Sequence, residues 1–249
     1  PSTMGYYSKA HGTEKLASTS ISSIMTQVTY PLYAKVQDNK IVMINMIKRM
    51  TMTISYITFP VMFILILTAK PLFVLLYSDK WLASVPYFQV LCQAALANCL
   101  MSVNTQTISA IGESKTMFTW TLIKRIIGLG LVVGGLFAFG MKGLLCGFVL
   151  NCYFSYFVNI SLVSKYIGYK WDRQIIDLLP AALASAIAAG ISFFSVDFFD
   201  LNLYVDGILK LLICIVVYLG WSILFKPEAF TYTLSIIPER FRFWERKNK

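Results

Sequence analysis

Charged residues are scarce in this sequence: they make up 14% of its 249 residues, against roughly 25% in ordinary soluble domains. Apolar residues make up 57%. A soluble domain of this size needs polar groups over its whole surface, whereas a surface that faces lipid does not. The charges that are present cluster between long uncharged runs. The composition therefore argues against a soluble domain and predicts an integral membrane protein.

The sequence also lacks the usual residues of catalysis and metal binding. It has one histidine, His11, and its five cysteines form no CxxC pair, so no Cys/His metal cluster is expected. There is no phosphate-cradling GxxxxGK[ST] loop and no HExxH pair, and no Asp or Glu lies deep within an apolar run. We therefore predict that the protein is not an enzyme and that it has no metal site and no cofactor. The cysteines lie in apolar runs and are assigned to packing.

Long apolar runs are what the sequence has in abundance. A membrane-spanning helix needs about 20 mainly apolar residues, and an open strand would leave unpaired backbone groups in lipid. Seven candidate spans lie near residues 16–34, 50–69, 83–111, 116–139, 143–164, 178–196 and 207–225. The predicted fold class is an all-α, polytopic transmembrane helix bundle of about seven spans, followed by a basic cytoplasmic tail at residues 226–249.

Lysine and arginine are distributed unevenly between the two sides of this predicted bundle. Sixteen of the 22 basic residues fall in alternate loops on one side, together with the tail. Because cytoplasmic loops carry the excess of Lys and Arg, the C-terminus is predicted to be cytoplasmic. Seven spans then place the N-terminus outside, as expected of a fragment without its upstream helices. The net charge of +10 suits anionic lipid headgroups, and nucleic acid is not an expected partner.

Polar side chains within the apolar runs are the candidate substrate-binding residues. Lys124 and Arg125 lie one or two turns into the fourth run, where a cationic pair can hold a pyrophosphate at the membrane boundary. The alternative is that both only anchor the helix, with their charged ends reaching the interface.

Two further runs carry uncharged polar residues with the same two interpretations. The third run has amides at Gln93, Asn98, Asn104 and Gln106. An amide offers donors and an acceptor to sugar hydroxyls, but amides also bind neighbouring helices together. In the first run, Ser22 and Thr26 belong to a polar stripe. Such a stripe either lines a wet cavity or makes hydrogen bonds between helices.

Four segments resemble a known family. They are GYYSKA at 5–10, VTYPLYAKVQDN at 28–39, AKPLFVLLYSDKWLASVPYFQVLC at 69–92 and SAIGESKTMFTWTLIKRIIG at 109–128. In this order and at this spacing they resemble the polysaccharide transport family of the multidrug, oligosaccharidyl-lipid and polysaccharide exporter superfamily. In the last segment Glu113 stands where the family has a basic residue.

The resemblance implies a fold of two facing six-helix bundles with two extra C-terminal helices, of which this chain supplies the C-terminal half. It implies a flippase that moves undecaprenyl-pyrophosphate-linked oligosaccharide repeat units across the bacterial inner (plasma) membrane for lipopolysaccharide and other surface polysaccharide biosynthesis. The expected mechanism is alternating access around a cationic cavity. The expected partners are this lipid-linked substrate, membrane lipids, the missing N-terminal bundle and a polysaccharide polymerase.

Three other functions stay open at this point. A multidrug exporter of the same superfamily usually carries ionisable residues in its helices, and the lack of acidic residues in the predicted spans favours a sugar-lipid cargo instead. An integral membrane polysaccharide polymerase would need a long outer loop with Arg, His or Glu, which this sequence lacks. A membrane scaffold without transport activity is the third.

Overall fold

The computed structural model describes residues 2–36, 39–197 and 202–236. Within these ranges it contains eight α-helices, one short 3-10 helix and no strand. The α-helices are α1 (Ser2–Val36), α2 (Lys40–Leu67), α3 (Ala69–Tyr77), α4 (Val85–Ala110), α5 (Ser114–Ile167), α6 (Trp171–Asp197), α7 (Leu203–Phe225) and α8 (Glu228–Ile236), with the 3-10 helix at Asp79–Ser84. The predicted all-α fold class is confirmed.

Several helices begin outside the apolar runs, because local capping sets their ends. The side chain of Asn39 accepts a hydrogen bond from the backbone nitrogen of Val42, so α2 begins at Lys40, ten residues before its predicted span. This is the usual role of an N-cap side chain. In α4, Pro86 lies in the first turn, where a missing N–H costs nothing.

The long α5 is a hairpin of two helical arms. Its backbone leaves the helical region at Phe139 and Gly140, and Gly140 has φ +61, a conformation that favours glycine. A Cβ atom on Gly135 or Gly143 would overlap the backbone of the other residue. These close approaches show that the first arm (114–138) and the second arm (141–167) run antiparallel, as the predicted spans 116–139 and 143–164 require.

Four of the seven predicted spans lie within a helix or an arm of α5, namely 16–34, 143–164, 178–196 and 207–225. The predicted bounds 50–69, 83–111 and 116–139 run past a helix end, because α2 ends at Leu67, α4 covers Val85–Ala110 and the helical backbone breaks at Phe139. By length and composition, four of the described helices can cross a membrane, namely α2, α5, α6 and α7. The prediction of an integral membrane protein agrees with this. α1 and α4 carry more hydroxyl and amide side chains, so the crossing of the membrane by these two helices stays a prediction.

The helices pack in two groups. The main core is shared by α1, α2, α3, α4 and α5, with large fully buried side chains such as Tyr33, Phe73 and Phe88. A smaller core joins α6, α7 and α8 to the middle of α2. In this second core the hydroxyl of Tyr56 donates to Ser222 at 2.6 Å, and Tyr218 donates to the backbone oxygen of Tyr56 at 2.8 Å.

Polar contacts mark the two ends of the bundle. At the Lys48 end, Lys48 lies 2.9 Å from Glu228 and 3.9 Å from Asp177, while Tyr169 donates a hydrogen bond to Asp177. Burial raises the pKa of Tyr169 above its usual value, so its hydroxyl remains a donor at neutral pH. At the Trp81 end, the ammonium of Lys9 lies 5.4 Å from the Trp81 ring centroid.

The predicted tail at residues 226–249 is described only in its first part. There α8 packs against α2 with Ala229 buried in the second core. The guanidinium of Arg49 lies 4.8 Å from the ring centroid of Tyr232. The remaining residues, 237–249, lie outside the described part of the chain.

Candidate substrate groove

An open groove of about 780 Å³ lies between α4 and the two arms of α5. Its walls are formed by residues from all three segments, because the hairpin places the second arm between the first arm and the rest of the bundle. The polar part of its lining is Asn98, Thr105, Thr121, Lys124, Arg125, Asn151 and Ser155. The rest is apolar, so charge and hydrogen-bonding capacity are concentrated at few positions, as is typical of ligand sites.

Lys124 is half-buried on the first arm and is held by a chain of hydrogen bonds. Its ammonium donates to Asn159 Oδ1 at 2.8 Å, and Asn159 Nδ2 donates to Thr105 Oγ1 at 3.0 Å. The Thr105 hydroxyl then donates to the backbone oxygen of Met101 at 2.9 Å. The chain links both arms of α5 to α4, and it fixes the direction of each hydrogen bond because the ammonium can only donate.

Arg125 follows on the same arm and is exposed on the groove. In the described part of the chain, neither Lys124 nor Arg125 has a carboxylate within 4.0 Å. Their neighbours in the groove are amides, hydroxyls and apolar groups, which leave the positive charge uncompensated. Two adjacent cations of this kind can bind a phosphate or diphosphate, which offers them charge-assisted hydrogen bonds.

Amide groups lie on the wall opposite the cations. Asn98 on α4 faces the thiol of Cys152. Asn151 on the second arm has a buried Oδ1 without a hydrogen-bond partner in the described structure. It lies against Gly128, where a Cβ atom would be 2.6 Å from that oxygen. The side chain of Asn151 also lines the groove, and an amide can donate a hydrogen bond to a sugar hydroxyl.

The structure brings together three of the eight residues predicted as substrate-binding: Lys124, Arg125 and Asn98 line the groove. The other five are Gln93, Asn104, Gln106, Ser22 and Thr26, and none of them lines it. Gln93 is exposed and Asn104 is buried, while Gln106 and Thr26 are partly exposed. Ser22 donates to Cys99 on α4 at 3.6 Å, which is the helix-to-helix role named as the alternative for this stripe.

Sequence reasoning missed five polar residues of this region: Thr105, Thr121, Asn151, Ser155 and Asn159. The same search for amides that selected the third run would have found Asn151 and Asn159 in the fifth. What it could not supply is the register of the two arms, which decides that Asn159 meets Lys124. Glu14 was also missed, because it precedes the first apolar run by two residues, yet it is only 7% exposed.

Comparison with known proteins places these features in a family context. Residues 1–86 match the family described as polysaccharide biosynthesis protein. A Klebsiella pneumoniae protein, named as an uncharacterized membrane protein in the cps region, is 32% identical over 142 residues, covering 55% of this chain and 29% of its own length. The lipopolysaccharide biosynthesis protein WzxC of Escherichia coli K12 is 26% identical over 180 residues, covering 70% of this chain and 36% of its own length.

Two other proteins extend the comparison. The teichuronic acid biosynthesis protein TuaB of Bacillus subtilis 168 is 26% identical over 117 residues, covering 47% of this chain and 24% of its own length. A solved structure of the lipid II flippase MurJ, in an inward closed conformation, superposes on 91% of this chain and 48% of the MurJ chain with a TM-score of 0.73 at 18% identity. At this identity the likeness concerns the fold alone.

The chain spans well under two thirds of the length of each curated relative it matches. Its fold corresponds to about half of MurJ, so the predicted half of an exporter fold is confirmed. On the family match and the relatives together, the predicted resemblance to the polysaccharide transport family is confirmed as well.

Proposed function

We propose that this chain is the C-terminal part of a flippase that moves undecaprenyl-pyrophosphate-linked oligosaccharide repeat units across the bacterial inner membrane. In this proposal, the groove between α4 and α5 is this chain's half of the cargo site. Lys124 and Arg125 bind the diphosphate, and Asn98 and Asn151 bind sugar hydroxyls. The full cavity forms when the groove faces the N-terminal bundle of the same protein.

The observation that carries the proposal is a pair of cations in an open groove that have no acidic partner among the described residues. A diphosphate supplies the missing negative charge, and a lipid tail suits the exposed apolar side chains that flank the cations on the first arm, such as Leu122, Ile126 and Leu129. The names of the relatives, which refer to polysaccharide biosynthesis and to a flippase, agree with transport rather than catalysis.

The proposal includes an orientation. Three connections lie at the Lys48 end: the one before α2, the one between α5 and α6, and the one before α8. This follows because Lys48 contacts both Asp177 and Glu228. Lys165, Lys170 and Lys226 belong to the same connections. An excess of basic residues at one end supports a cytoplasmic Lys48 end and a cytoplasmic C-terminus. A polysaccharide polymerase on the outer side is the expected next partner for the cargo.

The burial of Glu14 bears on the alternative function, a multidrug exporter. The apparent lack of acids within the helices favoured a sugar-lipid cargo over a drug, and the buried carboxylate of Glu14 removes that distinction. The cationic groove replaces it, because a diphosphate is an anion whereas an exporter of cationic drugs has no use for two unpaired positive charges. The groove therefore favours the sugar-lipid cargo on different grounds.

The test is complementation with the full-length protein in a strain that makes the native repeat unit and lacks its flippase. Surface polymer is scored by blotting, and membrane insertion is checked on the same cells. We expect the wild-type protein to restore polymer, the Lys124→Ala, Arg125→Ala double variant to fail, and Lys115→Ala, which removes an exposed lysine outside the groove on the same arm, to restore it. Equal export by the double variant at equal protein level would refute the diphosphate role.

A further inference from the structure

Glu14 is an acidic side chain buried near the Trp81 end of α1. Its side chain is 9% exposed, and its Oε2 lies 3.9 Å from Nδ1 of His11, one turn earlier. It has no other basic group within 4.0 Å in the described part of the chain. A buried charge without a close partner is expensive, so a carboxyl group in this position gains from a proton.

Among the described residues, the elements packed around Glu14 supply no cation within 4.0 Å besides His11. On α1 itself, Glu14 is near Tyr7, Ser18 and the exposed Lys15. The other neighbours are thiols, those of Cys92 and Cys99 on α4 and that of Cys152 on α5. Thiols and hydroxyls are neutral at physiological pH and stabilise an ionised carboxylate only weakly. His11, Lys15 and the Ser18 hydroxyl stabilise the carboxylate, but burial has the larger effect and favours the neutral form of Glu14.

His11 is the natural second member of the site. Its Nδ1 is buried and has no hydrogen-bond partner within the described residues, while the side chain as a whole is 37% exposed. The ring therefore reaches both the buried carboxyl group and the surface. Histidine changes charge near neutral pH, so it can pass a proton between the surface and Glu14 or balance the charge of the carboxylate.

The pair also adjoins the groove. Phe148, whose ring centroid lies 6.3 Å from that of His11, lines the groove, and so does Cys152, which faces Glu14. A change of charge or position at the pair would therefore act directly on two residues of the groove wall. A buried ionisable pair beside a groove is a candidate for a functional site.

We propose that Glu14 and His11 form a proton-binding site, and that its occupancy is linked to the arrangement of the substrate groove. The reaction is a proton transfer between water and Oε2 of Glu14: one O–H bond forms on loading and breaks on release. No group of three or more His, Cys, Asp or Glu that could hold a metal ion occurs among the described residues, so the ligand that this site fits is a proton. The linkage to transport rests on the proposed function, whereas the proton site does not.

The first experiment tests the site without transport. Infrared difference spectra of the full-length protein in lipid are recorded between about pH 5 and pH 9. This is the range over which a histidine and a carboxyl group with a raised pKa titrate. We expect a protonated-carboxyl band that titrates in the wild-type protein, is absent in Glu14→Gln and is retained in Asp79→Asn, a control that removes an exposed acid at the same end. A band of equal size in Glu14→Gln would overturn the proton site.

A second variant keeps this test usable if Glu14→Gln does not fold. In His11→Asn the carboxyl band should move to higher pH, because an imidazolium nearby favours the carboxylate. An unchanged midpoint would remove His11 from the site.

The second experiment tests linkage, with proteoliposomes that contain the full-length protein and a labelled lipid-linked oligosaccharide. If one proton moves per cargo, a gradient of one pH unit shifts the steady distribution of cargo by up to about tenfold. We expect this shift in the wild-type protein and in Asp79→Asn. Glu14→Gln should still exchange cargo at equal pH but lose the response to the gradient.

The outcomes separate the two proposals. Wild-type protein that moves cargo with no response to the gradient would overturn the linkage, whatever the infrared result. Wild-type protein that moves no cargo at all would overturn the proposed function, while the infrared titration would still establish or refute the proton site.

Discussion

Four cations in the described part of the chain fall into two groups that differ in their surroundings. Lys48 and Lys210 are each close to two carboxylates: Lys210 lies 2.6 Å from Asp197 and 2.9 Å from Asp206. Lys124 and Arg125 have no acidic partner in the described part of the chain and face an open groove. The first group joins helices at the two ends of the bundle, whereas the second has positive charge available for a ligand.

The contrast has an energetic basis. A cation between carboxylates has its charge compensated by the protein, and an anionic ligand would have to compete with those acids. A cation held by an amide, as Lys124 is by Asn159, has its position fixed without an anion beside it. Preorganised charge of this kind is what a binding site needs, because ordering it on binding would cost affinity. The difference therefore separates structural cations from binding cations.

The largest effect is expected at Arg125. Arg125→Glu should reduce surface polymer about 100-fold, because it replaces a charge-assisted hydrogen bond worth about 1.5–3 kcal/mol with repulsion. Lys115→Glu makes the same charge change outside the groove and should export normally. The measurement is polymer per inserted protein, and equal loss in both variants would mean that net charge matters and the groove does not.

At Lys210 we expect a loss of stability without a loss of export. Lys210→Met leaves two neighbouring carboxylates without their cation, and should lower the free energy of unfolding by about 2 kcal/mol, below the range for fully buried pairs because Asp197 is 44% exposed. Thermal unfolding in detergent measures this loss. Export per folded molecule should stay at the wild-type level; a large loss of export by folded protein would place Lys210 among the binding cations.

Asn159 lies behind the binding cations. Asn159→Leu removes the acceptor that holds Lys124, so we expect weaker substrate binding and about tenfold lower transport. A tenfold change corresponds to a loss of about 1.4 kcal/mol of binding free energy. Asn159→Asp should bind cargo even more weakly, since a carboxylate there would pair with Lys124. The charge of Lys124 would then be compensated by the protein, as it is for Lys48 and Lys210. The concentration dependence of transport in proteoliposomes distinguishes weaker binding from slower turnover. Wild-type binding in Asn159→Asp would contradict the contrast between cations paired with carboxylates and cations held by an amide.

The smallest effect is expected at the exposed pair of Lys48 and Glu228. Glu228 is 59% exposed, and exposed pairs typically contribute about 0.2–1 kcal/mol. Glu228→Gln should therefore change the unfolding temperature only slightly and leave export intact, since Asp177 remains near Lys48 at 3.9 Å. A loss of stability like that of Lys210→Met would show that α8 is held mainly by this ion pair and not by its apolar contacts.

Local pattern was enough to predict the long helices and the position of Lys124 and Arg125 within one of them, because apolar length and the placement of a charge within a run are properties of neighbouring residues. The bounds shifted where caps act: Asn39 begins α2 well before its apolar run. The polar stripe of the first run was less predictable, since Ser22 meets Cys99 only after α1 has packed on α4. The same applies to Glu14, whose burial depends on the helices around it.

By itself, the sequence determined that this chain is an all-α membrane bundle that resembles the polysaccharide transport family, because composition and linear motifs are sufficient for both. Only the tertiary structure decided which polar residues share a site. The turn at Phe139 and Gly140 sets the register of the two arms of α5, and that register brings Asn159 to Lys124 and the amide of Asn151 to the groove. Residues this far apart along the chain meet only through packing, and no local pattern records the distance between them.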